Sequence, residues 1–237
     1  MEAVVMAAGE GVRMRPLTER WAKPVLPIAG KPVIATLLHE LRAAGTSVAT
    51  VVVGHLAEQI EDLVGDGAPF GLDVRYAHQP EPLGPADALS RALAAGARPP
   101  LLVTAADTVY RAGDLGTASA GFLEARAPGG LGVREVRPAD LPKRYPVAVD
   151  DGRVVQVVPK PAPGPRPLVA APLWFFADGL VDSLASVPGP PFELADAFQG
   201  AIDTGERIVA LELGPTRDIT RPEDVIAHNF PYLSRWG

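Results

Sequence analysis

The sequence contains no cysteine. Disulfides, cysteine nucleophiles and cysteine-ligated zinc are therefore excluded together. Histidine is scarce, and His39, His55, His78 and His228 show no metal-ligand spacing. Asn229 is the single asparagine, and lysine is confined to Lys23, Lys31, Lys143 and Lys160 against 18 arginines. This bias fits a heat-adapted chain and a GC-rich genome equally well. No stretch reaches the roughly 18 apolar residues of a membrane helix. The longest, Leu168 to Ala177, is short and contains Pro172. The N-terminus begins Met1-Glu2 without a basic region, and its apolar run Ala3 to Ala8 ends in a glycine loop, so it does not read as a signal peptide. The expectation is a soluble cytoplasmic protein.

What is present suits one globular domain. The 237 residues are 47% hydrophobic and 21% charged, enough for a full core and too apolar for wholesale disorder. The net charge of −6 argues against a nucleic-acid partner, which needs a broad basic face. In a chain this sparing of lysine, context matters: Lys23, Lys31 and Lys160 each precede a proline.

The first hundred residues alternate strand and helix signals. Ala3 to Ala7, Val48 to Val53, Leu72 to Tyr76 and Leu101 to Thr104 read as strands. Between them, Val33, Ile34, Leu37, Leu38 and Leu41 recur at helical spacing and stop at Gly45. Leu56 to Val64 and Ala86 to Leu93 give two more helices. Such alternation implies a parallel sheet covered on both faces. The second half is more mixed. Gly132 to Val136, Pro146 to Val149, Val154 to Val158, Leu173 to Phe176 and Ile208 to Leu213 read as strands, with Asp151-Gly152 as a hairpin turn. Ala162 to Pro165 is a stiff loop, and Phe192 to Ile202 and Arg221 to Asn229 read as helices, the latter with Thr220 as N-cap. The aromatic run Trp174-Phe175-Phe176 reads as core. No linker separates two domains. The expectation is a single α/β domain with a Rossmann-like, mostly parallel central sheet, helices on both faces and a mixed-strand second half.

The richest segment runs from Met6 to Ile28. Its glycine loop, Gly9-Glu10-Gly11, directly follows the first strand and so sits at the carboxyl edge of the sheet, where open α/β sheets bind ligands. Small residues there allow backbone N–H groups to approach phosphate oxygens. Arg13, Arg15, Arg20 and Lys23 outnumber Glu10 and Glu19 within the stretch, giving a local positive charge suited to a polyphosphate. The dinucleotide fingerprint fails because Met14 stands where a third glycine is needed, and no Walker Gly-Lys-Ser/Thr follows. Gly9-x-Gly11 alone is equally a tight strand-to-helix turn.

The longer pattern is more specific. Ala7-Ala8-Gly9-x-Gly11-x-Arg13-Met14-x-Pro16-Leu17-Thr18, then Lys23-Pro24 and Leu26-Pro27-Ile28-x-Gly30-Lys31-Pro32, resembles the signature of the sugar-1-phosphate nucleotidylyltransferases. The resemblance continues at Gln79 to Ala86, Asp107, Lys160-Pro161, Glu193 to Asp196 and Asp218 to Asp224. It implies a transferase that joins a nucleoside triphosphate to a sugar-1-phosphate. Residues 1–110 would form the nucleotide-binding half and 111–237 the acceptor-binding half.

The resemblance also implies roles. Arg13 and Lys23 would stabilise phosphate charge. Ala7, Ala8, Gly9 and Gly11 would line the nucleotide, and Gln79 and Gly84 would meet the base, favouring UTP or dTTP. Asp107 and Asp218 would hold Mg2+. Lys160 would bind the acceptor phosphate and Glu193 a sugar hydroxyl. Each has a plainer reading by itself: Asp107 and Asp218 as turn or capping acids, Gln79 and Lys160 as solvated residues, Glu193 as a first-turn helix acid. Val12, Ala22, Ala106, Pro159 and Val169 to Pro172 depart from the family pattern, the last two on the acceptor side. A non-catalytic nucleotide- or nucleotide-sugar-binding regulator on the same fold is the alternative. A glycosyltransferase would want an Asp-x-Asp motif, which Asp107-Thr108-Val109 lacks. No membrane partner is expected, and the pattern is compatible with a homo-oligomer.

Overall fold

A strand whose two faces are both apolar must be covered on both sides, and the first strand shows this residue by residue. In β1 (Glu2–Met6), Ala3 and Val5 join one hydrophobic cluster while Val4 joins the other. β2 (Val48–Val53), β3 (Asp73–His78) and β4 (Leu101–Ala105) lie beside it in the order β3-β2-β1-β4, all parallel. The computed structural model describes residues 1–136, 146–157 and 167–230.

The second half extends this sheet with β5 (Gly129–Glu135), β6 (Val147–Asp150), β7 (Arg153–Val157), β8 (Leu168–Phe176) and β9 (Ile208–Glu212). Among the described residues the full order is β3-β2-β1-β4-β8-β5-β9-β7-β6, with β8 and β7 running against the other strands. The fold class expected from the sequence is thus observed. The Asp151-Gly152 turn has both residues at positive φ, 44° and 70°, as a two-residue hairpin requires.

Helices α1 (Val33–Ala43), α2 (Ala57–Val64) and α4 (Asp114–Ala125) cover one face; α3 (Pro85–Ala94), the short α5 (Asp178–Val181) and α6 (Leu194–Asp203) cover the other. The stripe Val33, Ile34, Leu37, Leu38 and Leu41 is wholly buried, as its spacing predicts. Trp174 and Phe176 meet Phe198 edge-on at 4.8 and 5.1 Å, so the aromatic run is core. Val169 and Ala171 are also buried.

The structure departs from the sequence reading at α5, which no pattern marks, and at β8, which begins at Leu168 and not Leu173; three further departures have a plain physical cause. Helix α4 is not announced by apolar spacing because Gly116 and Gly121 occupy it. A Cβ at Gly121 would stand 3.3 Å from Leu211, so the glycine buys close packing on β9. Strand β5 begins at Gly129, three residues earlier than Gly132, because Leu180, Ile208 and Phe122 fill the space that side chains at 129 and 130 would need. Finally, α7 (Pro222–Asn229) is capped differently. Arg221, not Thr220, holds the N-cap position, and the Asp224 carboxylate accepts the N–H of both Thr220 and Arg221 at 2.7 Å.

Candidate functional site

The carboxyl ends of β1 and β4, paired as far as Met6 and Ala105, border a cavity of about 300 Å³. Gly9, Gly11, Arg13, Lys23, Ala106, Asp107 and Thr220 line it, together with Ala7. The segment after β1 reaches it through short helical turns at Val12–Met14, Leu17–Glu19 and Lys23–Val25, which its prolines keep from joining into one helix. Gly11 turns the chain at φ 62°, where a Cβ would meet Thr18 at 2.9 Å. Thr18 in turn donates its hydroxyl hydrogen to the Gly11 carbonyl at 2.9 Å.

Two residues of the adjoining β2–α2 region tie this loop down, and neither is marked by a motif. The Gln59 amide accepts the Ala22 N–H at 2.8 Å and donates to the Arg20 carbonyl at 2.8 Å. His55 Nε2 lies 2.9 Å from the Thr18 carbonyl. The clamp delivers Lys23 to Asp107, 84 residues later in the chain, and the two side chains form a mostly buried ion pair. Arg13 lines the same cavity and makes no hydrogen bond or ion pair among the described residues.

Asp218 does not line that cavity, but it is nearby. Arg217–Asp218 pairs antiparallel with Thr108–Val109, with Asp218 opposite Thr108, and the Ile219 N–H bonds the Asp107 carbonyl at 3.3 Å. The Asp218 carboxylate accepts from Thr216 at 3.4 Å and has Arg134 of β5 at 4.0 Å. Behind them the buried Tyr110 hydroxyl bonds Thr104 at 2.7 Å and the Pro172 carbonyl at 2.9 Å. Burial raises the Tyr110 pKa, and the charges of Asp218 and Asp107 push it the same way. No motif marks Arg134, because an arginine near the end of a strand carries no local signal.

A second group lies farther along the carboxyl edge. Gln79 follows β3, takes the Val53 carbonyl at 2.8 Å and is 6% exposed. Its amide nitrogen donates to the Gly84 carbonyl at 3.0 Å and to Asp87 at 2.8 Å. Arg91, one turn later on α3, donates to the same Asp87 oxygen at 2.7 Å and to the His78 carbonyl at 3.4 Å. Burial works to raise the Asp87 pKa, but the hydrogen bonds from Arg91 and Gln79 and the Arg91 charge hold it below its ordinary value. Ala8, Gly54 and the Gln79 backbone are packed side by side, since a Cβ at Gly54 would lie 2.7 Å from the Gln79 carbonyl and 2.9 Å from that of Ala8.

Gly84 has a structural reason to be glycine. Its φ is 107°, and a Cβ would collide with the Phe192 backbone at 2.6 Å. That approach lets Phe192 exchange backbone hydrogen bonds with Leu83 and Ala86 at 2.8 and 2.9 Å. Glu193, the N-cap of α6, is thereby held beside the segment that carries Gln79 and Gly84. Burial, followed by the charge of Asp196, raises the Glu193 pKa. Lys160 and the loop Ala162 to Pro165 lie outside the described residues.

The chain's likenesses agree with this architecture. A UTP–glucose-1-phosphate uridylyltransferase of Haloferax volcanii is 32% identical over 230 residues, covering 94% of this chain and 93% of the relative. A glucose-1-phosphate thymidylyltransferase of Streptomyces antibioticus is 29% identical over 244 residues, covering 97% of this chain; the chain spans 65% of that relative's length. The crystal structure of a UDP-glucose pyrophosphorylase complexed with UDP-glucose superposes with a TM-score of 0.84 at 20% identity, covering 99% of this chain and 98% of that one, and so shares its fold. The family model described as nucleotidyl transferase matches residues 2–230, and the chain belongs to that family.

Proposed function

We propose that the protein transfers a nucleotidyl group from a nucleoside triphosphate to a sugar-1-phosphate or similarly phosphorylated acceptor, giving a nucleoside-diphosphate sugar and pyrophosphate. The observation that carries this reading is the convergence of Gly9, Gly11, Arg13, Lys23 and Asp107 on one cavity at the carboxyl edge of the sheet. Residues 1–110 would hold the nucleotide and 111–237 the acceptor. The acceptor's phosphate oxygen attacks the α-phosphorus in line, and the bond to the β-phosphate's bridging oxygen breaks as pyrophosphate leaves. The reaction needs no protein nucleophile, so the protein's task is positioning and charge stabilisation. Arg13 and Lys23 would meet the α-phosphate and the departing pyrophosphate, and the small Gly9 and Gly11 let the triphosphate lie against the backbone. Glu193 would accept a hydrogen bond from an acceptor hydroxyl, and Lys160 would bind its phosphate.

Asp107, in the turn just before the Thr108–Val109 ladder, and Asp218 within that ladder offer hard carboxylate oxygens, a donor set that suits magnesium. Bound there, magnesium would offset the repulsion between the two anionic reactants. Gln79 beside Ala8 supports a base site, with UTP or dTTP favoured. Nucleoside triphosphates and sugar phosphates are cytoplasmic metabolites, which supports a cytoplasmic location. No helix among the described residues is long and apolar enough to cross a membrane.

The test is a matrix of nucleoside triphosphates against sugar and polyol phosphates, read by pyrophosphate release with magnesium present. Release that depends on both reactants supports the reading. Nucleotide binding without release for any acceptor would favour a non-catalytic binder instead.

A further inference from the structure

The Gln79 amide is held in one orientation by partners that can only accept. Its nitrogen faces the Gly84 carbonyl at 3.0 Å and the Asp87 carboxylate at 2.8 Å. A flipped amide would turn its carbonyl toward both, losing two hydrogen bonds and facing a negative charge. Asp87 is itself fixed, because Arg91 grips the same oxygen and spans to the His78 carbonyl just before Gln79. This leaves Oε1 as the part of the side chain that makes no hydrogen bond among the described residues, and it is not among their buried unpaired atoms. The side chain therefore offers a ligand an acceptor and no donor.

We propose that Asp87, anchored by Arg91, is a positioning residue that locks Gln79 with its carbonyl outward and so selects nucleotides whose base carries a ring imide N–H. The inference rests on the nucleotide-transfer reading above and names what sets its base preference. Uracil and thymine present N3–H at their pairing edge; cytosine presents a bare N3 lone pair at the same place. Against Oε1 the first pair forms a hydrogen bond, and cytosine meets two facing acceptors. UTP and CTP are matched in size and charge and differ only along this edge, at N3 and at the neighbouring C4 substituent, so the change in their ratio between wild type and variant reads the Gln79 orientation. A site built to bond a base N–H rejects an analogue without it strongly, with preferences from about tenfold upward.

The experiment measures binding of UTP and CTP by calorimetry, and their kcat/KM by pyrophosphate release, for the full chain and for Asp87→Asn. The asparagine amide can donate to a flipped Gln79, so both orientations become available. Wild type is expected to prefer UTP at least about tenfold, and Asp87→Asn to bring the ratio close to one, chiefly by gaining CTP. Arg91→Ala, altering a partly exposed side chain, is expected to shift the ratio the same way by less. It also decides the matter should Asp87→Asn not fold. An unchanged UTP-to-CTP ratio in a folded variant overturns the lock while leaving the transfer reading intact. A wild type that binds both nucleotides equally also overturns it. A wild type that binds neither overturns the lock, while the matrix of other triphosphates still decides the transfer reading.

Discussion

Lys23 and Asp107 can be separated from each other experimentally because their mutual pairing and their proposed chemistry make opposite demands. The ammonium and carboxylate are in contact, with side chains 15% and 24% exposed. Breaking a fully buried pair by removing one partner costs about 3–5 kcal/mol, and an exposed pair contributes about 0–1 kcal/mol. At this intermediate exposure Lys23→Met or Asp107→Asn should each cost about 2 kcal/mol, a fall in Tm of roughly 4–8 °C for a chain of this size. The double variant leaves no unpaired charge, so it should recover at least about 1 kcal/mol relative to the additive expectation. Activity should behave otherwise. If each group meets phosphate or metal in the transition state, each single variant should lose about 10²–10³ in kcat, and the double variant should be no more active than the worse single. Thermal melts and pyrophosphate-release kinetics on the three variants are the assay. Near-wild-type turnover in a folded Lys23→Met protein would refute the assignment, and recovery of activity in the double variant would reduce the pair to a structural tie.

Other consequences are direct. Because burial and Asp196 raise the Glu193 pKa, its folded state binds a proton more readily than the unfolded chain, and its charge costs stability above that raised pKa. Glu193→Gln should therefore raise Tm at pH 7, lose that advantage as pH falls toward 4, and raise KM for the acceptor; a Tm gain that persists at pH 4 would contradict the burial argument. Gln59→Leu removes both hydrogen bonds that clamp the Lys23 loop and leaves the buried Ala22 N–H unpaired. Displacement of Lys23 by about 1 Å should lower kcat roughly 10- to 100-fold, with the fold intact by circular dichroism; full activity would show that the loop holds itself. Tyr110→Phe strips the partners of Thr104 and the Pro172 carbonyl. It should cost about 1–2 kcal/mol in denaturant unfolding, and an unchanged midpoint would count against that hydrogen-bonded network.

The sequence alone determined the parallel half of the sheet, the helices with continuous apolar stripes, and the family, because these signals are local. Strand alternation, the Val33–Leu41 stripe and the spacing from Gly9 to Lys23 are each read within a few turns of chain. It also marked Lys23, Asp107, Gln79 and Asp218 through the family pattern. Tertiary structure alone decided which of them meet. The Lys23–Asp107 pair spans 84 residues, and Asp218 reaches Thr108 across a two-residue ladder, so only folding sets those distances. The same holds for Gln59, Arg134 and Asp87, whose importance lies in what they touch. Helix α4 and the start of β5 were hidden for the converse reason: their glycines weaken local propensity, and the gain comes from close packing against β9, α5 and Phe175. Local propensity writes the elements into the sequence, whereas a site is a set of distances between elements, and those exist only once the core has closed.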